Sequence, residues 1–409
     1  MEIKELIRDL ETLEKRNDNF LHLTAYENRL SPLANHFLSS RLSERYYFGA
    51  GTNEIVDWNP FTALGLGAVQ NILDSASEAL ERMLKAKAVN FNCLSGVHTM
   101  MSAILSTSDP GDTVMIVHHN DGGHFATKLI LERTGRKFVY APFKTETQGF
   151  DLDKMAKEFS QNNCKVLYLD ISYYVTPIDI AGIRKALGDK AIIIYDASHT
   201  VGLMIGHQFQ SPLEEGADII CANTHKTLPG PQKGIIVFRD QELADKANSV
   251  INSGLFSSAH THHLIALAIT ILEMEKYGEE FSAQIIENSN ELGKTLEDLG
   301  HEVRHAPDGS ISHTHQVHLY IDKLGDRKQL YERLVKNNIS TNFDDRIGGR
   351  LFIRLGTQEI TRRGMKKKEM IEIASLLTRT LRNDSTLEEV KAFNEKFSKI
   401  YYGFEKDML

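Results

Sequence analysis

The sequence predicts an α/β fold, with a mostly parallel sheet flanked by helices and a smaller C-terminal α+β domain. Three observations lead there. Short apolar runs at 113–118, 137–141, 165–170, 191–196, 218–222 and 234–238 read as buried strands. The connections through most of this stretch are of helix length, which makes βαβ units and a parallel sheet. Beyond residue 280 the pattern changes to helices mixed with two short strands, at 315–321 and 351–355.

Taken in order, residues 2–16 space Ile3, Leu6, Ile7, Leu10 and Leu13 as one helical stripe. Such a helix wants a neighbour, here a second subunit. Residues 20–62 show little periodicity and are rich in Tyr, Asn, Arg and Gly, the character of a site-building loop. Residues 1–62 are therefore expected to form an N-terminal helix and a site-building, dimer-forming segment. The large domain is expected over 63–280. It opens with a helix over 65–85, and Asn90–Gly96 leads into another helix. Asp109-Pro-Gly-Asp112 is a turn before the strand at 113–118. A long helix over 262–280 leads out of the domain. The small domain is expected over 281–409, and its last stretch, from Glu388, is helical in pattern with the aromatic end Tyr401-Tyr402-Gly403-Phe404.

Composition narrows the class. The chain has 409 residues, 41% hydrophobic and 25% charged, as in a soluble globular enzyme. A net charge of −8 without a basic face excludes nucleic acid as a partner. No apolar run approaches the length of about 20 residues that a membrane span needs, and the polar, acidic N-terminus is no signal peptide. Cys93, Cys164 and Cys221 lack CxxC spacing and lie in or beside strand-like runs, as structural thiols of a reducing compartment do. The expected location is the cytoplasm.

The chemistry centres on Asn223-Thr-His-Lys-Thr-Leu-Pro-Gly-Pro-Gln-Lys-Gly234. Pro229 and Pro231 keep it from becoming a helix, so Lys226 sits on a loop between two strands. A lysine at a strand end can lose solvation and become a nucleophilic amine. About thirty residues earlier, the apolar run ending in Asp196 is followed by His199. A strand-end acid, a histidine and a Thr-His-Lys loop together suggest a pyridoxal-phosphate site, with Lys226 as the Schiff-base lysine and Asp196 on the pyridine nitrogen. Ser95-Gly96 opens a helix whose N-terminal amides could receive a phosphate, although alone it is an ordinary cap. Gly122 and Gly123 let the chain turn and bring His124 over the strand ends, where an imidazole can stack on a ring or move a proton. Arg354 lies inside an apolar run, where its planar fork suits a substrate carboxylate. Of the histidine groups, His260, His262 and His263 and then His313, His315 and His318 lack matched ligand partners, and no metal is expected.

These residues resemble serine hydroxymethyltransferase and its relatives, the fold-type I pyridoxal-phosphate enzymes, through nearly the whole chain. Leu23–Asn28 resembles the family's N-terminal box, and Arg45-Tyr46 with Gly49 its tyrosine loop. His119–His124, Asp196–His199 and Thr224–Pro231 match its cofactor motifs, and Ile353–Thr357 with Thr361–Gly364 its carboxylate-binding segment. The resemblance implies a seven-stranded sheet and a homodimer. It also implies that Lys226 holds the cofactor, Asp196 binds the pyridine nitrogen and His124 stacks on the ring. Ser172 and His199 would touch the phenolic oxygen, while His225, Ser95 and Gly96 bind the phosphate. Arg354 would clamp the amino-acid carboxylate, and Tyr46 would enter from a partner subunit.

Departures from that pattern bear on the reaction. Phe48 occupies the position of a catalytic glutamate, Tyr26 that of a serine, Val97 that of a phosphate-binding serine and Gln232 that of an arginine. Folate-dependent one-carbon transfer needs an acid or base that Phe48 cannot supply. The segments 119–126, 224–234, Thr314–His318 and Thr361–Lys366 look closer to L-threonine transaldolases. The expected substrates are therefore threonine and an acceptor aldehyde, with Lys226, His124 and Tyr46 catalytic. Arg354, Tyr26, Tyr46 and Phe48 would be in the substrate site. The other readings are a hydroxymethyltransferase of serine or an α-substituted relative, a simple threonine aldolase, or a silent relative kept for binding.

Overall fold

The computed structural model describes residues 3–53, 62–145, 147–345 and 349–408. Its contacts divide the chain into two units. The larger comprises Tyr26–Ala283, Arg346–Gly349 and Tyr402–Leu409; the smaller comprises Met1–Ala25, Gln284–Asp345 and Arg350–Tyr401.

The larger unit is built on a seven-stranded sheet: β1 (Ala88–Asn90), β2 (Thr113–Ile116), β3 (Lys137–Tyr140), β4 (Cys164–Leu169), β5 (Ile192–Asp196), β6 (Ile219–Asn223) and β7 (Gly234–Phe238). Their order across the sheet is β1-β7-β6-β5-β4-β2-β3. All neighbouring pairs are parallel except those of β7, which runs antiparallel to both β6 and β1. A strand covered on both faces reads as an unbroken apolar run, and Ile193, Ile194 and Tyr195 of β5 are all buried. One core cluster packs Met100, Ile104, Val114, Val166, Ile194, Ile219 and Ile236 together. Because the strands are parallel, their carboxyl ends gather on one edge, where open α/β sheets place their ligands.

In the smaller unit an antiparallel sheet joins Glu302–Val303, Gln316–Tyr320, Phe352–Gly356 and Asn342–Asp344 in that order. Leu21–His22 pairs in parallel with Ile339–Ser340, and Leu21 and Leu23 join the core of Leu319, Ile353 and Leu377. This pairing is why the N-terminal residues cluster with a C-terminal unit.

Several local expectations need correction. The helix expected over 262–280 spans Thr261–Asp298, because no proline interrupts the stretch and its first glycine, Gly278, is tolerated within the helix. The terminal stretch is α-helical over Leu387–Glu395 and ends in a short 3-10 helix, Lys406–Met408, rather than running as one helix. Within 20–62, Pro32–Leu38 is a helix with Ser31 as its N-cap, accepting from the Ala34 amide at 3.0 Å. Residues 54–61 of that segment lie outside the described ones. The N-terminal helix, Ile3–Asn17, has no buried residue, and its apolar stripe is exposed. Among the described residues no helix is long and apolar enough to cross a membrane.

Candidate active site

A cavity of about 210 Å³ opens at the carboxyl edge of the large sheet. Eight of the sequence-predicted site residues line it: Ser95, Gly96, His124, Ser172, Asp196, His199, His225 and Lys226. Asp196 is the last residue of β5 and is buried. The Tyr168 hydroxyl donates to its Oδ2 at 2.8 Å and the Ser198 amide to its Oδ1 at 2.9 Å.

Lys226 lies on the loop from β6 to β7, with Nζ 3.0 Å from His199 Nε2. The loop is pinned on several sides. Asn28 donates to the Lys226 carbonyl at 2.6 Å, and the Thr227 hydroxyl donates to the His199 carbonyl at 3.0 Å. Its far end carries Lys233, which is buried and donates from Nζ to the carbonyls of Cys93 (3.1 Å) and Ala259 (2.9 Å). Burial pulls that ammonium down to about 7. His225 is pushed down to about 4, first by burial and then by the Lys226 charge, so its ring is neutral.

The helix Gly96–Thr107 begins at the cavity wall with Ser95 as its N-cap, Oγ accepting from the His98 amide at 3.2 Å. A side chain at Gly96 would bring a Cβ to 3.1 Å from Asn223 Cβ, so glycine is what lets these segments approach. His124 caps the helix Phe125–Arg133 through Nδ1, which accepts from the Ala126 amide at 3.2 Å. Gly122, at φ +100°, makes the turn that delivers it.

A pyridine ring with an aldehyde and a phosphate fits this donor set. It would find an amine at Lys226, a carboxylate at Asp196 and a helix N-terminus at Gly96. The cavity also holds polar capacity that the protein leaves unused, since His225 Nδ1 is buried without a partner.

Tyr26, Tyr46 and Phe48 are not among the residues lining the cavity. Tyr46 is 57% exposed, and its ring stands 5.1 Å from that of Phe48. Arg354 belongs to the smaller unit, buried in Phe352–Gly356, with Nε donating to Asn342 Oδ1 at 3.3 Å. Among the lining residues that the sequence reading did not include is Asp170. Asp170 follows β4, ending Val-Leu-Tyr-Leu-Asp just as Asp196 ends Ile-Ile-Ile-Tyr-Asp, and that shared pattern was the available signal.

Comparison with known proteins agrees with this geometry. The family model for serine hydroxymethyltransferase matches residues 2–377. A fluorothreonine transaldolase of Streptantibioticus cattleyicolor is 37% identical over 387 residues, covering 93% of this chain; the chain spans 59% of that protein's length. A serine hydroxymethyltransferase of Methanocella arvoryzae is 33% identical over 415 residues, 97% of this chain and 96% of that one. The crystal structure of L-threonine transaldolase from Pseudomonas fluorescens, in its internal aldimine state, aligns with a TM-score of 0.91 at 28% identity, over 100% of this chain and 94% of that one. With the sheet, the lysine loop and a family match over nearly all its length, this chain belongs to the serine hydroxymethyltransferase family.

Proposed function

We propose that this enzyme is a threonine transaldolase, which moves a glycyl unit from L-threonine to an acceptor aldehyde. The observation that carries the reading is Lys226 Nζ held against His199 in one cavity with the strand-end Asp196. The likeness to two transaldolases supports it, as does Phe48 in place of an acid or base. Pyridoxal phosphate is the cofactor, and when bound it supplies an electron sink for the carbanion left at Cα.

In this reading the bond between Cα and Cβ breaks as the β-hydroxyl loses its proton, so acetaldehyde departs and Cα keeps the electron pair. Attack of that carbon on a second aldehyde, with a proton returned to the new oxygen, gives a different β-hydroxy amino acid. Lys226 supplies the amine that exchanges with the substrate amine. Asp196 would hold the proton on the ring nitrogen, and His199 and Ser172 would serve the phenolic oxygen. Ser95, Gly96 and His225 would receive the phosphate. His124 would stack on the ring, and it or Tyr46 would carry the hydroxyl proton. Tyr26 and Phe48 contribute to the substrate pocket, and Phe48 offers apolar surface to the aldehyde. A homodimer in the cytoplasm completes the proposal; the exposed Tyr46 and the exposed stripe of the N-terminal helix are the surfaces it would use.

The test is product formation by mass spectrometry. Threonine plus an aldehyde is expected to yield acetaldehyde and a new β-hydroxy amino acid at a rate that tetrahydrofolate does not change. Methylene-tetrahydrofolate from serine, with no exchange product from threonine, would assign the chain to the hydroxymethyltransferases instead.

Arg354 is proposed to bind the substrate carboxylate, because its guanidinium can give two parallel hydrogen bonds and an ammonium cannot. A charge-assisted hydrogen bond contributes about 1.5–3 kcal/mol, so Arg354→Lys should weaken threonine binding about ten- to a hundredfold. Cofactor affinity should hardly move. Spectral titration with threonine reads both, and an unchanged threonine affinity would remove Arg354 from the site.

A further inference from the structure

Asp170 stands beside Asp196 in the sheet. Leu169 of β4 pairs with Tyr195 of β5, so the parallel register carries the two following carboxyls to adjacent strand ends. Both are buried and both line the cavity. Their hydrogen bonds differ in kind. Each oxygen of Asp196 accepts one donor, as the two oxygens of a carboxylate do. Asp170 uses one oxygen only: Oδ2 accepts the His124 amide at 3.0 Å and also the Thr127 hydroxyl. Its Oδ1 is buried without a partner.

We propose that Asp170 is a further active-site residue that works as a protonated carboxyl, its Oδ2 fixing the turn that carries His124 and its Oδ1 hydroxyl donating to an acceptor atom of the bound cofactor. This rests on the pyridoxal-phosphate reading above. Two like charges at adjacent strand ends are costly out of water, so one of the pair keeps its proton. The donor pattern gives that proton to Asp170, since Asp196 is solvated by donors on both oxygens and Asp170 on one. Burial, with Asp196 as a smaller contribution, raises the Asp170 carboxyl to about 7. A phenolic oxygen or a phosphate oxygen accepts hydrogen bonds, so a hydroxyl complements it and a second carboxylate would repel it. Toward His124 the residue is a positioning one. A second tie, from the Ser172 amide to the Gly122 carbonyl at 2.9 Å, clips the same two segments together.

Reconstitution of the full-length apoprotein with pyridoxal phosphate, followed by visible absorbance, tests this with Asp170→Asn and Asp170→Ala. Asparagine keeps a carbonyl oxygen for His124 and Thr127 and puts an N–H donor on the other atom, whereas alanine keeps neither. The loss of one such hydrogen bond should weaken cofactor binding about tenfold in the alanine variant, with asparagine within about threefold of wild type. At about pH 6, where ordinary carboxyls are ionised, the wild-type-minus-asparagine infrared difference should contain a protonated-carboxyl band. Asparagine as weak as alanine would mean that a negative charge is needed, and would overturn the proposal. So would wild-type affinity in the alanine variant, or absence of the band. If the alanine variant does not fold, asparagine affinity and the infrared band decide. A wild-type protein that binds no pyridoxal phosphate would instead defeat the functional reading itself.

Discussion

Lys226→Ala is expected to purify without covalently held cofactor and to lose the proposed transaldolase activity by at least about 10³-fold. The wild-type amine is placed by its surroundings. Its nitrogen lies 3.0 Å from His199 Nε2, and Asn28 and Thr227 fix the backbone at the Lys226 carbonyl and at the next residue. Alanine keeps that backbone and removes the nucleophile, so the cavity should still admit the free cofactor. The measurement is the intact mass after borohydride reduction. Wild type should gain one pyridoxyl phosphate that survives denaturation, and the variant none. A reduced adduct on another lysine of the wild type would show that the covalent link is elsewhere. Circular dichroism of the variant, expected to match wild type, separates lost chemistry from lost fold.

Asp196→Asn should rank next, with cofactor still bound but turnover of threonine down about 10²- to 10³-fold. Removing one member of a buried charge pair costs about 3–5 kcal/mol, and each 1.36 kcal/mol is a factor of ten in rate. The effect belongs to kcat more than to KM, because the ring nitrogen must hold its proton most firmly when charge flows into the ring. Asparagine leaves the Ser198 amide a carbonyl to bond and nearly preserves the shape, which makes it a fair test of charge alone. Turnover within tenfold of wild type would show that the carbanion does not depend on this carboxylate.

Much of this was legible in the sequence because the decisive strands are buried on both faces. Runs such as Ile192–Tyr195 and Ile219–Cys221 can be little else than central strands once they recur at helix-length spacing. Lys226, Asp196, His199 and His124 followed from the same logic, since they stood where those runs ended, whereas Ser172 and the phosphate role of His225 came from the family resemblance. What was missed has physical reasons as well. Ala88–Asn90 is three residues long and only partly buried, too short to show a period. The helix boundary at 280 was misplaced because Thr261–Asp298 carries no strong stop signal before its end. Asp170 went unread because an acid after an apolar run is also the commonest kind of helix cap or turn former. Tyr46 and Phe48 came from resemblance alone. Their side chains lie in an irregular segment that carries no periodicity to say which way they face.

The antiparallel strand β7 also constrains the order in which the enzyme can become competent. It is hydrogen-bonded on one side to β6, just before the lysine loop, and on the other to β1, nearly 150 residues earlier in the chain. Pairing across so long a sequence separation must overcome loop-closure entropy before any contact repays it, and such topologies fold slowly. Until β7 docks, the loop carrying Lys226 lacks the strand that anchors its far end. A chain that has formed β2 to β6 therefore has its strand-end carboxylate before every anchor of the amine is in place. Cofactor capture is therefore expected to follow the docking of β7, which refolding followed by visible absorbance of the bound cofactor would check.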